Sequence, residues 1–147
     1  LEAHRRGREH LVRDLPALDV RAERAVRMLA ELGLLLDTGH LAFAGDDPMS
    51  TLQRHGARVT HVHTKDVRFA VARQARAEGW SFERAVRAGV FTVPGDGDID
   101  FPAVLAEINR NGYAGWLTVE AEQDPAVADP LTYAKLGRAT LRRLLGA

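Results

Sequence analysis

The chain has 147 residues, 46% of them hydrophobic and 27% charged, which is enough for one domain with a packed core. Its 20 Lys and Arg balance 20 Asp and Glu, and no apolar run approaches the ~20 residues of a membrane span, so we expect no nucleic-acid or membrane partner and a cytoplasmic location. Cysteine is absent, which excludes disulfides, thiolate metal sites and a cysteine nucleophile in this chain, so any metal must be held by His, Asp and Glu.

Residues 1–32 form an arginine-rich start that contains one predicted helix. Apolar residues recur at helical spacing over residues 21–31, and Gly33 follows as a helix stop. We therefore treat residues 1–32 as separate from residues 33–147, where strand-like and helix-like segments alternate.

Three strand-like runs in residues 33–147 each end in a polar residue, and helical segments separate them. The runs cover residues 34–36 before Asp37, residues 58–63 ending at His63, and residues 116–120 ending at Glu120. A fourth extended segment, at residues 90–93, precedes a Gly- and Asp-rich loop at 94–98. The helices between and after these strands are predicted at residues 49–55, within 69–88 as two pieces, at 101–111 and at 130–145.

This alternation predicts parallel βαβ units with outer helices, an α/β fold. A complete (β/α)8 barrel typically needs ~250 residues, so the chain would hold about half of one. In such barrels the C-terminal ends of the strands carry the active site. Residues 33–147 are therefore predicted to be the C-terminal half of a (β/α)8 barrel, a single partial domain.

The three polar strand ends are predicted to converge at the barrel mouth as a metal site. Strand side chains alternate, so Leu35 shares a face with Asp37, and Thr118 with Glu120. The same rule groups Val59, His61 and His63. One imidazole and two carboxylates suit Mn²⁺, Co²⁺, Fe²⁺, Mg²⁺ or Zn²⁺. His40, predicted to lie in the loop after Asp37, is a further candidate for binding metal or substrate.

Several of these residues also have a purely structural interpretation. Asp37 before Thr38-Gly39 is typical of a turn, and His61 is expected to be a buried, hydrogen-bonded histidine. Lys65 and Asp66 could form an ordinary surface pair, and Glu122 could be a loop carboxylate. A Gly-rich loop with an Asp helix cap would explain Asp96, Asp98 and Asp100.

Four stretches resemble the xylose-isomerase-like barrel superfamily, and two of them narrow the match. The stretches are DTGHLAFAG at 37–45, HVHTKDVR at 61–68, GVFTVPGDGDIDFP at 89–102 and GWLTVEAEQDP at 115–125. The last two are most similar to the inosose dehydratase family of inositol catabolism, which removes water from scyllo-inosose.

The resemblance implies roles for individual residues. It implies that Asp37, His63 and Glu120 bind a divalent metal, with Mn²⁺ or Co²⁺ favoured, and that His40 binds metal or substrate. Arg68 lies near a substrate-contacting position of some relatives. Glutathione is a further candidate cofactor, on the basis of the resemblance alone.

It further implies a cyclic polyol ketone as substrate and a metal ligand upstream of Gly33, for which His4 is a weak candidate. The metal would act as a Lewis acid and template. Lys65, His61 and His40 are candidates for the acid and base of dehydration.

Two other functions stay open. A sugar isomerase or epimerase of the same superfamily would use the same site, because an enediolate can be reprotonated instead of losing hydroxide. A truncated, inactive half-barrel would expose strand edges and an apolar face, which favour self-association into a homo-oligomer.

Overall fold

The computed structural model describes residue 24 and residues 32–146. The predicted helix over 21–31, apart from Arg24, and the candidate ligand His4 lie outside the described residues. The strands are β1 Leu34–Asp37, β2 Val59–Thr64, β3 Asp66–Val67, β4 Phe91–Thr92 and β5 Leu117–Val119. The helices are α1 Thr38–Ala44, α2 Pro48–His55, α3 Phe69–Ala77, α4 Phe82–Arg87, α5 Phe101–Arg110 and α6 Pro130–Leu145, with a 3₁₀ turn at Gly56–Arg58.

Strands β1, β2 and β5 form a parallel sheet in the order β1-β2-β5. Asp37 pairs with His63, and His63 pairs with Thr118 on the next strand. The three strands therefore end at one edge of the sheet. The predicted α/β architecture of parallel strands with helices against them is confirmed.

One face of this sheet packs against helices and forms the main core. Leu36, Val62 and Leu52 are almost completely buried there, with Val104 and Ile108 of α5. The opposite face is open to solvent among the described residues, since Leu35 and its register partner His61 are both exposed. The outer helices and the inner, polar face are thus arranged as in a barrel wall.

The register of β1 and β2 corrects two predictions about strand β2. The pairing passes from Leu34 with Val59 to Leu35 with His61, so Thr60 is an extra residue on β2. Because this irregularity reverses the alternation, Val59 is buried in the core and does not share a face with His61 and His63. His61, expected to be buried, is exposed because it lies on the face of the sheet that is open among the described residues.

The fourth extended segment is not a parallel barrel strand. Its strand β4 pairs antiparallel with β3, which follows β2 after one residue. Helices α3 and α4 leave the sheet after β3, and the chain returns through Gly89, whose φ is 77°. The chain therefore returns beside β3 in the opposite direction, and β3 and β4 form a two-residue antiparallel ladder.

Residues Thr38 to His40, predicted as a loop, begin helix α1. The Asp37 side chain caps this helix by accepting a hydrogen bond of 2.8 Å from the His40 N–H. The helix ends at Gly45, where φ is 99°. Asp37 is thus both the last residue of β1 and the N-cap of α1, which fixes its carboxylate at the strand end.

Helix α6 closes the described chain and lies close to β5. Asp129 caps its N-terminus, accepting a 2.8 Å hydrogen bond from the Thr132 N–H. A Cβ on Gly137 would lie 2.7 Å from Cγ1 of Val119, so a glycine is needed for this approach. Among the residues that the structure describes, no helix combines the length and apolar character needed to cross a membrane.

Candidate metal centre

The side chains of Asp37, His63 and Glu120, here called the metal trio, meet at the C-terminal edge of the parallel sheet. One ligand atom from each lies within 4.8 Å of the other two. Nδ1 of His63 is 2.6 Å from Oε2 of Glu120 and 3.7 Å from Oδ2 of Asp37. The predicted convergence therefore exists in the structure.

The donor set of the metal trio fits a divalent cation. Two carboxylates and an imidazole are ligands that Mn²⁺, Fe²⁺, Co²⁺ and Zn²⁺ accept. Oε2 of Glu120 is buried, and among the described residues it accepts no hydrogen bond of good geometry despite the nearby His63 ring. A buried carboxylate oxygen without such a bond is costly unless a cation compensates it. The side chain of Glu120 remains 34% exposed, so one side of the trio is accessible to a ligand.

Lys65 is buried beside the metal trio and is not a surface residue. Its side chain is 0% exposed, and Nζ lies 3.4 Å from Oδ2 of Asp37 and 3.6 Å from Oε1 of Glu120. Nζ also sits 5.2 Å from the centre of the Phe91 ring. The surface-pair interpretation of Lys65 and Asp66 is wrong, because the two side chains are buried in different surroundings.

Asp66 anchors the Gly-rich loop. Its Oδ1 accepts hydrogen bonds from the N–H groups of Val67 and Ile99, and its Oδ2 accepts from Gly95 and Gly97, at 2.8–3.1 Å. Burial raises the pKa of the Asp66 carboxyl, and the four backbone hydrogen bonds act in the opposite direction. This carboxylate therefore holds loop 94–99 against the residues that follow β2.

Glu122 is a site residue that the sequence reasoning missed. Its Oε2 lies 3.0 Å from Nε2 of His40 and 3.2 Å from Nζ of Lys65. The available signal was spacing: in an extended chain Glu122 points to the same side as Glu120, two residues earlier. Its treatment as a loop residue around Pro125 hid that relation.

His40 stands at the rim of the site on helix α1. Its Nδ1 lies 3.0 Å from Oδ2 of Asp37, and its ring packs edge-on against Phe91 with centroids 5.2 Å apart. Phe82 of α4 lies on the same ring at 6.0 Å. These contacts place an imidazole, 42% exposed, next to the metal trio and against an apolar wall.

Thr38 and Gly39 also support the site, although no pattern in the sequence indicates this role for either residue. The Thr38 hydroxyl donates a 2.6 Å hydrogen bond to the backbone carbonyl of Lys65. A Cβ on Gly39 would lie 2.6 Å from Cγ of Lys65, so only a glycine leaves room for the lysine stem. Together they fix the start of α1 against the end of β2.

The other candidates stand apart from these contacts. His61 lies on the face of His63 but two residues earlier on β2, further from the strand ends. Arg68 donates a 2.7 Å hydrogen bond to the Gly89 carbonyl and pairs with Asp96, whose carboxylate also accepts from Thr92. A substrate contact of Arg68 remains a prediction.

The acidic run of the loop plays the structural parts expected of it. Asp98 accepts a 2.6 Å hydrogen bond from the Phe69 N–H, and Asp100 caps α5 through the Ala103 N–H at 3.1 Å. Asp96 pairs with Arg68.

Comparison with known proteins identifies relatives of this chain by sequence. The chain is 52% identical over 130 residues to the rhizopine catabolism protein MocC of Rhizobium meliloti, covering 88% of this chain and 40% of the relative. It is 53% identical over 116 residues to the inosose dehydratase of Geobacillus thermodenitrificans, covering 79% and 39%. The chain thus spans about two fifths of the length of these relatives, and the resemblance to inosose dehydratases is confirmed.

Solved structures and a family model agree on the fold. A xylose isomerase domain protein from Alicyclobacillus acidocaldarius matches with a TM-score of 0.55 and 24% identity, over 91% of this chain and 46% of that one. A xylose isomerase domain protein from Planctomyces limnophilus matches with a TM-score of 0.54 and 22% identity, over 90% and 44%. The family model described as a xylose isomerase-like TIM barrel matches residues 1–144. The chain therefore belongs to the xylose isomerase-like TIM barrel family.

Proposed function

We propose that the chain carries the metal-binding part of the active site of a dehydratase that removes water from inosose, a cyclic polyol ketone. The observation that carries this proposal is the convergence of Asp37, His63 and Glu120 within 4.8 Å at the strand ends. The named relatives supply the reaction, since several at about 50% identity are inosose dehydratases. The activity is proposed for the barrel in which this half is assembled, as the chain covers about 39% of such a relative.

The metal trio would hold a divalent cation, which supplies Lewis-acid stabilisation of negative charge on substrate oxygens when it is bound. Asp37 is suited to this role because helix α1 and the sheet both fix its carboxylate. His63 is on β2, and Glu120 directly follows β5, the neighbouring strand of the same sheet. Ligands fixed by such rigid elements need little reorganisation when a cation binds.

Dehydration needs one group that takes the proton beside the ketone and one that protonates the departing hydroxide. We assign this pair to His40 and Lys65, whose nitrogen atoms Nε2 and Nζ lie 3.3 Å apart beside the trio. His61, further along β2 from the strand ends, is the weaker candidate. The Phe91 ring against both His40 and Lys65 would keep water from that side of the site.

A direct assay tests the proposed reaction. Two proteins would be incubated with scyllo-inosose and Mn²⁺ or Co²⁺. One is the chain alone, and the other is a fusion in which the unmatched part of the Geobacillus inosose dehydratase precedes the chain. Mass spectrometry would follow loss of one water, with and without glutathione. We expect metal-dependent dione formation by the fusion, and a metal-loaded, folded fusion that leaves scyllo-inosose intact contradicts the proposal.

Two other substrate classes belong in the same assay. One relative is named for rhizopine catabolism, so a rhizopine is a second substrate to test. Ketohexoses test the isomerase or epimerase alternative, because those reactions conserve the mass of the substrate. Turnover of a ketohexose without loss of water would replace dehydration by isomerisation as the assigned reaction.

A further inference from the structure

The Lys65 ammonium shares its counter-charges with the metal trio. Nζ lies 3.4 Å from Asp37 and 3.6 Å from Glu120, which are the two carboxylates that a divalent cation would need. The lysine side chain is fully buried, so water cannot replace those carboxylates as partners. An ammonium and a divalent cation also repel each other at such short range. A cation at the trio therefore requires another counter-charge for Lys65.

Glu122 supplies a carboxylate that is outside the trio. Among the described residues, its Oε2 makes the shortest carboxylate contact of the lysine, at 3.2 Å. The same oxygen lies 3.0 Å from Nε2 of His40. One oxygen atom thus faces both the ammonium and the imidazole.

We propose that Glu122 is a positioning residue of the metal centre: it holds the Lys65 ammonium, so that the carboxylates of Asp37 and Glu120 are free to bind a divalent cation. The inference rests on the proposed metal site and adds to it a carboxylate that is not a ligand. Without Glu122, the part of the chain that the structure describes leaves Lys65 only the two ligand carboxylates as counter-charges, and the lysine competes with the cation for them.

Two simpler roles for Glu122 make a different prediction. As an additional ligand, or as a charge that attracts cations from a distance, Glu122 would strengthen binding whether or not Lys65 were present. A role through Lys65 makes the effect of Glu122 depend on the lysine. A double-mutant cycle separates these cases.

The experiment is a calorimetric titration of the chain with Mn²⁺, without any activity measurement. The variants are Glu122→Gln, Lys65→Met and the double variant, and Lys65→Gln replaces Lys65→Met if circular dichroism shows that the latter does not fold. Glu83→Gln and Lys135→Met, both at exposed positions, are the matched controls. We expect Glu122→Gln to raise the Kd about fivefold or more in the presence of Lys65, and less than about twofold in its absence.

The outcomes separate the inference from the proposed function. Equal weakening by Glu122→Gln in both backgrounds, or no weakening in either, overturns the positioning role while leaving the metal centre in place. Failure of the unmodified chain to bind Mn²⁺ overturns the metal centre itself. Loss of the Glu122→Gln effect in the lysine-free background supports the inference.

Discussion

Nδ1 of His63 lies 2.6 Å from Oε2 of Glu120, and the two residues come from neighbouring parallel strands. The register pairs His63 with Thr118, so the Glu120 carboxylate reaches the imidazole from two residues further along the chain, directly after β5. Asp37, the register partner of His63 on β1, completes the metal trio from the other side. The sheet itself thus brings the three candidate ligands together.

Gly39→Ala should disturb Lys65 directly. The added Cβ would lie 2.6 Å from Cγ of Lys65, within a buried region that cannot expand freely. We expect a loss of unfolding free energy of about 1–3 kcal/mol, measured by urea denaturation. In a Lys65→Ala background the contacts with Cγ and Cδ are gone and only the 2.8 Å contact with Cβ remains, so the same substitution should cost less than in the unmodified chain. An equal cost in both backgrounds would contradict the steric explanation.

Asp66→Asn should loosen the Gly-rich loop. The amide would turn one acceptor oxygen into an N–H donor facing two backbone N–H groups, for example those of Gly95 and Gly97. We expect a loss of about 3 kcal/mol in unfolding free energy. Asp98→Asn is the control, because Asp98 accepts only the Phe69 N–H among the hydrogen bonds described and should cost about 1 kcal/mol. Similar stabilities of the two variants would be inconsistent with the anchoring role.

Asp47 gives a prediction of pH dependence. The Ser50 side chain, followed by the Met49 and Ser50 backbone N–H groups and Arg54, lowers the pKa of this N-cap carboxyl below its ordinary 3.8, against an opposing effect of burial. A lowered folded-state pKa means that the ionised carboxylate stabilises the fold above pH 3.8, and that this contribution is lost as the pH falls through the folded-state pKa.

Two substitutions separate the cap from its charge. Asp47→Ala should cost about 1 kcal/mol at neutral pH. Asp47→Asn should keep most of the cap and remove its pH dependence, because asparagine caps helices without titrating. Urea denaturation between pH 3 and pH 7 measures both effects; an unchanged pH dependence in Asp47→Asn would show that another group is responsible.

Local patterns predicted much of the fold. Helix α6 has the predicted bounds of 130–145, and Asp100 caps α5 as its structural interpretation expected. The side chains of the metal trio were predicted to meet because strand alternation and strand ends can be read directly from the sequence. These features depend on neighbours along the chain, which a sequence displays.

Most of the errors depend on tertiary contacts. Helix α1 begins with Thr38 and Gly39, weak helix formers, and is fixed by the Asp37 cap and the Thr38 bond to Lys65. The two-residue pairing of β3 with β4 has no periodicity to detect. The burial of Lys65 depends on the carboxylates of Asp37 and Glu122, which are distant along the chain. Glu122 itself was missed because its spacing from Glu120 was overlooked.

The open face of the sheet predicts self-association. Leu35 is 49% exposed on that face, on the edge strand β1, and Trp116, just before β5, is 84% exposed. Large exposed apolar groups beside sheet edges favour association. We expect a concentration-dependent oligomer in size-exclusion chromatography with light scattering, shifted toward monomer by Leu35→Lys. Leu131→Lys, at an exposed position on α6, is the control, and a monomer at all concentrations would contradict the prediction.

The most direct test of the account is Mn²⁺ binding by the metal trio. Electron paramagnetic resonance of free Mn²⁺ would be recorded during titration of the chain and of Glu120→Gln and Asp37→Asn, with Glu83→Gln as the control. We predict one bound ion per chain and at least about tenfold weaker binding in both trio variants, because even outer partners of metal ligands contribute that much. Mn²⁺ binding that is absent from the unmodified chain, or unchanged in both trio variants, would contradict the assignment of the metal centre.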